Sequence, residues 1–138
     1  VKAHLGVTDV RIPIQYAFSW PQRWDAPTDF LDFTTLGDLT FEKPDLDTFI
    51  CLRLALEAGC AGGTAPAALN AANEVAVARF LAGACGFNDI GYAVDCVLSK
   101  LDVVPVSSLE QLEEVDRCAR AQARRFLDDT ADKEKKRG

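Results

Sequence analysis

The chain has 138 residues, a net charge of −6 and an apolar fraction of 49%, which is the balance of one globular domain or a small domain plus an arm. The acid excess argues against nucleic acid as the main partner. No apolar run reaches the roughly 18 residues that a bilayer span needs, and the first residues lack the apolar core of a signal peptide.

Val1 to Leu5 reads as a strand with no partner strand near it in sequence, so its sheet is expected in residues outside this chain or in a second copy. Gly6 to Asp9 is a turn, with Asp9 and Arg11 positioned to fix it by a charge-assisted bond. Pro13 suits the first turn of a short helix, and Pro21 stops that helix at Trp20. Residues 24–45 are irregular, punctuated by Pro27, Gly37 and Pro44. Within them Leu39–Glu42 alternates apolar and polar and predicts a short strand. Phe30, Leu31, Phe33 and Leu36 are expected to pin this linker to a protein surface.

From Asp45 the pattern turns helical. A helix over 46–58 is expected to end at Gly59, capped at its start by Asp45 or Asp47. Thr64 is a candidate N-cap for an alanine-dense helix from Ala65 to Ala84, which Gly83 and Gly86 terminate. A further helix runs from Asn88 or Asp89 to Leu101, with Ile90, Ala93, Val94, Val97 and Leu98 as its apolar stripe. After the extended Val103–Val106, two overlapping capping pairs (Ser107 with Glu110, Ser108 with Gln111) open the last helix. Its stripe is Leu109, Leu112, Val115, Ala119, Ala123 and Phe126, and the basic cluster at Lys133–Arg137 reads as a frayed tail. The fold class is therefore mainly α: a bundle of three to four helices with a short N-terminal α/β remnant and an extended linker.

Chemistry is sparse in this sequence. The five cysteines are widely spaced among apolar residues and read as small buried thiols rather than a zinc site or a nucleophile. Asn70, Asn73 and Glu74 share one helix face and are expected to tie a neighbouring loop by hydrogen bonds. His4, the single histidine, has no carboxylate or nucleophile paired with it, which leaves a small hydrolase without support. The Trp20–Pro21–Trp24 cluster beside Arg23 reads as packing before ligand stacking. No catalytic residue and no metal ligand emerges from the residues alone.

The order Leu5-Gly6-x-x-Asp9-x-Arg11-x-Pro13-Ile14, Trp20-Pro21-x-Arg23, Leu39-Thr40-Phe41 with Pro44-Asp45, then Ala68-Leu69-Asn70-Ala71-Ala72-Asn73-Glu74 resembles the C-terminal part of the 1-deoxy-D-xylulose 5-phosphate reductoisomerases. The resemblance runs from Lys2 to about Arg125; Val10 stands where the family usually has Met, and His4 where it often has Gln. It implies a parent homodimer that uses NADPH and Mg²⁺ or Mn²⁺ to make 2-C-methyl-D-erythritol 4-phosphate for isoprenoid synthesis by the non-mevalonate route, in the cytoplasm, without nucleic acid or membrane partners. It also implies a division into the tail of a catalytic domain (1–32), a connector (33–58) and a C-terminal helical bundle (59–138). The family's metal carboxylates, phosphate-binding residues and nucleotide-binding glycines have no counterpart here, so the chain alone is expected to hold no cofactor and to be inactive. Its partners would be the missing N-terminal and catalytic domains. Trp20 and Pro21 match the family's Trp-Pro, which lines the active-site cleft. The absence of Met fits a piece of a longer chain. The rival reading is a stand-alone helical interaction module, which would pair the Val1–Leu5 strand internally, with Leu39–Glu42 for example.

Overall fold

The computed structural model describes residues 5–135, with side chains through residue 131. His4 and all but the last residue of the strand expected over Val1–Leu5 fall outside them. Among the described residues five helices form: α1 (Arg11–Ser19), α2 (Ile50–Ala61), α3 (Ala65–Leu81), α4 (Phe87–Leu98) and α5 (Leu109–Lys135). The chain makes two compact units that part between Lys43 and Pro44. The first holds α1; the second is a bundle of α2 to α5.

In the bundle, α3 packs against α2, α4 and α5. It can serve three neighbours because its buried residues are nearly all alanine: Ala65, Ala68, Ala71, Ala72 and Ala76, with Val75. Small side chains let helix axes approach closely, and an apolar surface on several sides belongs at a bundle's centre. From α4 come Ile90, Ala93, Val94 and Val97, and from α5 Ala119, Ala123 and Leu127, one turn apart on one stripe. Among the described residues no helix is long and apolar enough to cross a membrane.

Several expectations need correction. Leu39–Glu42 is extended but not a strand; no strand occurs among the described residues, so its backbone has no ladder to join. The linker residues Phe30, Phe33 and Leu36 are exposed, because among the described residues of their unit the one short helix offers no core to receive them. α2 starts later than predicted: Asp45 does accept the N–H of Thr48 at 2.9 Å, but this closes a separate turn ahead of the helix. α2 also runs through Gly59, since helical backbone suits any residue there. It stops at Gly62, whose φ of +67° a side chain disfavours.

α5 begins past Leu109 as a packing element: that residue is 66% exposed, and the stripe gains Leu127 instead. The helix continues to Lys135, so the tail expected to fray from Lys133 is helical up to that point. Ser108 caps it, accepting the Gln111 N–H at 3.2 Å, while Gln111 Oε1 turns back to the Ser107 N–H at 2.7 Å. The paired Ser107–Glu110 cap does not form. None of the cysteines is buried: Cys51, Cys60 and Cys118 are exposed, and Cys85 and Cys96 half-buried. Cys85, in the turn between α3 and α4, packs against the edge of the core, whereas Cys51, Cys60 and Cys118 sit on outer helix faces, where a small residue looks apolar in sequence without reaching the core.

Thr64 differs most instructively. It is fully buried, yet its hydroxyl caps nothing in α3. Its N–H donates to the Val104 carbonyl at 3.0 Å, and its Oγ1 accepts the Val104 N–H at 3.3 Å. The α4–α5 connector is thereby clasped to the α2–α3 turn. Gly63 makes the clasp possible: at φ +54°, an added Cβ would lie 2.4 Å from the Val104 carbonyl oxygen.

Gly63→Ala is expected to destabilise the bundle by about 1–3 kcal/mol, the range for forced overpacking. Gly91→Ala should cost less, because the atoms it meets at 2.4 and 2.6 Å, Cδ1 and Cγ1, belong to the Ile50 side chain and not to backbone. Gly59→Ala, inside α2 with nothing within 4 Å, should instead stabilise by about 0.5–1 kcal/mol. Urea unfolding of the three variants checks both the order and the change of sign.

Candidate functional site

The residues singled out from sequence fall into two places, one in each unit. In the first unit the site is a corner built on the end of α1. Asp9 precedes the helix and accepts the Arg11 N–H at 2.8 Å, which satisfies one of the helix's unbonded N-terminal donors. The same carboxylate takes the Arg11 guanidinium at 2.6 Å. These bonds, the Arg11 side chain foremost, lower the Asp9 pKa to about 2.

At the other end, the Trp20 N–H donates to the Tyr16 carbonyl at 3.1 Å and closes the helix. The Trp20–Pro21 bond is cis. Ser19 is 4% exposed, and its Oγ donates to the Gln22 carbonyl at 2.9 Å, spanning the corner from beneath. Gln15 Nε2 donates to the Asp25 carbonyl at 2.7 Å and holds the outgoing chain. Above this frame the Tyr16 ring meets Trp20 edge-on, with centroids 5.7 Å apart. The guanidinium of Arg23 lies over the Tyr16 face, 4.2 Å from its centroid. Trp20 itself is 70% exposed. The corner is thus a fixed aromatic and apolar projection with a cation at its side, suited to contact a ligand and carrying no acid–base pair of its own.

In the second unit, Asn70 and Glu74 do act together. Asn70 Nδ2 donates to Glu74 Oε1 at 3.1 Å, and Arg120 Nη2 donates to Glu74 Oε2 at 2.6 Å. Arg120 also holds Asp116 through Nε at 2.7 Å. The guanidinium lowers the pKa of Glu74 and of Asp116, and the two carboxylates raise that of Arg120. The network ties α3 to α5, a helix rather than the loop expected from sequence. Asn73 turns away from it. It borders a hollow of about 510 Å³ with Phe49, Ile50, Val77, Phe87 and Ile90, between α3, α4 and the start of α2.

Sequence reasoning missed Arg120 and the stacking of Arg23. Arg120 carried a signal, since Asp116 four residues earlier forms a standard intrahelical pair. The Arg23–Tyr16 contact depends on the turn at Pro21, which local pattern does not specify. Among the described residues, no three or more His, Cys, Asp or Glu side chains are grouped to hold a metal ion.

The sequence profile of the DXP reductoisomerase C-terminal domain matches residues 5–122. The chain is 50% identical over 121 residues to the 1-deoxy-D-xylulose 5-phosphate reductoisomerase of Moorella thermoacetica, covering 88% of this chain and 31% of that protein. It is 48% identical over 127 residues to the Pseudomonas aeruginosa protein of the same name, covering 92% and 32%. Among solved structures, the reductoisomerase from Zymomonas mobilis in complex with NADPH superposes with a TM-score of 0.82 at 42% identity, over 91% of this chain and 33% of that one. A DOX-P reductoisomerase with fosmidomycin and magnesium gives 0.82 at 35% identity, over 94% and 35%. The chain spans about a third of the length of the relatives it matches.

Two measurements check the geometry. Because the pKa of Asp9 is depressed in the folded chain, its pairing with Arg11 is expected to be complete above the ordinary carboxylate range. It should be lost only as pH falls through about 2. A carboxyl carbon-13 titration of Asp9 with a midpoint near 4 would contradict the pair. For Glu74 and Arg120, both partly solvated, a double-mutant cycle with Glu74→Gln and Arg120→Met should give a small favourable coupling that salt weakens.

Proposed function

Since this chain belongs to the 1-deoxy-D-xylulose 5-phosphate reductoisomerase family through its C-terminal domain, we propose that it is the C-terminal third of such an enzyme. The parent subunit would convert 1-deoxy-D-xylulose 5-phosphate to 2-C-methyl-D-erythritol 4-phosphate with NADPH and Mg²⁺ or Mn²⁺, in isoprenoid biosynthesis by the non-mevalonate route. It would work as a cytoplasmic homodimer. The observation that carries this reading is the match over nearly the whole chain, in sequence and in shape, to reductoisomerases that include a complex with NADPH.

The described residues contain no cluster of metal ligands, and the sequence has no glycine-rich dinucleotide turn. The proposed contribution of this chain is support, a reading that rests on its match to the C-terminal domain. Residues 1–32 complete the catalytic domain, with Trp20 and Pro21 lining its cleft. Residues 33–58 are the parent's connector, whose last part, in α2, packs onto the bundle, and 59–138 form the rest of that bundle, which braces the subunit. Its partners are the upstream domains of the same protein.

The purified chain, mixed with 1-deoxy-D-xylulose 5-phosphate, NADPH and Mg²⁺, should leave the NADPH absorbance unchanged. Joined to the upstream two-thirds of the Moorella relative, it should restore NADPH oxidation. Turnover by the chain alone would overturn the assignment of a supporting role, and an inert joined enzyme that folds would overturn the assignment to this reaction.

A further inference from the structure

We propose that the outer face of α1, formed by Val10, Pro13, Ile14, Ala17 and Phe18, is a docking surface covered by an apolar face of the upstream catalytic domain of the same subunit. The inference rests on the reading of residues 1–32 as the end of that domain. At about 100° per residue these five side chains share one stripe more than about 100° wide, the width that a helix turns toward a core. All five are exposed, and the larger ones heavily so: Val10 is 69%, Ile14 50% and Phe18 79% exposed. The opposite face carries Ile12, Gln15, Tyr16 and Ser19. That is the face the following chain covers, through Gln15 with Asp25, Tyr16 with Arg23 and Ser19 with Gln22. The helix lays its more polar side against its own unit and leaves its wholly apolar side bare. Such an arrangement suits a helix whose apolar side has a further partner.

Area and chain length select the occupant. Five side chains offer a few hundred Å², well under the roughly 800 Å² per partner of a stable association between separate chains. A second copy would not hold by this face alone. A covering surface in the same polypeptide needs no such area, because the covalent link raises its effective concentration. The relatives have the length to supply one: this chain matches 31% of the Moorella protein and 33% of the Zymomonas one, which leaves about two-thirds of such a subunit besides it. The stripe carries no charge, and Arg11 at its edge is already paired with Asp9, so the surface that fits it is apolar as well. The helix also needs support. α1 has 9 residues, too few for a stable helix in water unaided, and among the described residues of its unit only Ser19 is buried.

The test compares amide hydrogen exchange in the 138-residue chain and in the joined enzyme. The α1 amides should exchange at least about tenfold more slowly in the joined enzyme, with those of α3 little changed. Phe18→Asp should lower the melting temperature of the joined enzyme by several degrees and leave that of the chain alone unchanged, whereas Phe18→Leu should do neither. Equal exchange of α1 in the two proteins, or a joined enzyme indifferent to Phe18→Asp, overturns the proposal. So does protection of α1 in the chain alone that grows with its concentration and that Phe18→Asp abolishes, since the face would then join two copies. A joined enzyme that oxidises NADPH while its α1 exchanges as freely as in the chain alone refutes the docking surface and leaves the assignment to the reaction standing. A joined enzyme with protected α1 and no turnover supports the docking surface and refutes that assignment.

Discussion

The bundle depends on how closely its helices can approach α3. Ala68, Ala71, Ala72 and Ala76 are fully buried, and each removes side-chain volume from a point where another helix passes. α2, α4 and α5 can then share one central neighbour, and the larger side chains, Leu54, Ile90, Val97 and Leu127, come from the surrounding helices. Packing of this kind leaves little room for error in either direction. A larger residue on α3 would separate the axes, and a smaller one on the surrounding helices would leave a void that the alanines cannot fill.

Polar bonds then set the register of the packed helices. Arg120 reaches from α5 to Glu74 on α3, and Arg79 on α3 reaches Asp128 near the end of α5. Both pairs are at least partly exposed, so each adds little stability. Their separation along the two helices matters more, because together they disfavour a slide of α5 by a turn. The first unit is organised differently. Its aromatic side chains are largely exposed, and its order comes from local bonds around α1: the Asp9 cap, the Ser19 hydroxyl and the Tyr16 stack.

Much of this was legible in the sequence, and the reasons differ by element. α4 was readable because its stripe of Ile90, Ala93, Val94 and Val97 is a clean one-sided pattern. α3 was readable from its alanine content. The end of α2 was misplaced because Gly59 and Gly62 are identical as letters, and only backbone geometry tells which one adopts positive φ. Leu109 was misassigned because spacing gives the phase of a stripe but not where a partner helix stops covering it. The cysteines were misjudged because a small apolar residue reports little about which face it occupies. At the candidate site, the helix-local pair of Asn70 and Glu74 could be read from spacing. The Arg23–Tyr16 stack and the Thr64–Val104 bond could not, since each joins residues through a turn or across 40 positions of chain.

The Thr64–Val104 clasp has a bearing on how the chain can vary. It fastens the middle of a segment that has no secondary structure to the start of the central helix, by two bonds to a single residue. The path from the end of α4 to that anchor is therefore of fixed length, as is the path from the anchor to the Ser108 cap of α5. An inserted residue on either side would have to bulge outward, or else rotate α5 and carry Ala119, Ala123 and Leu127 off the core. The connector looks like a place where length is free to drift, yet it keeps time for the last helix. Slack for insertions lies elsewhere, in the irregular stretch before Pro44.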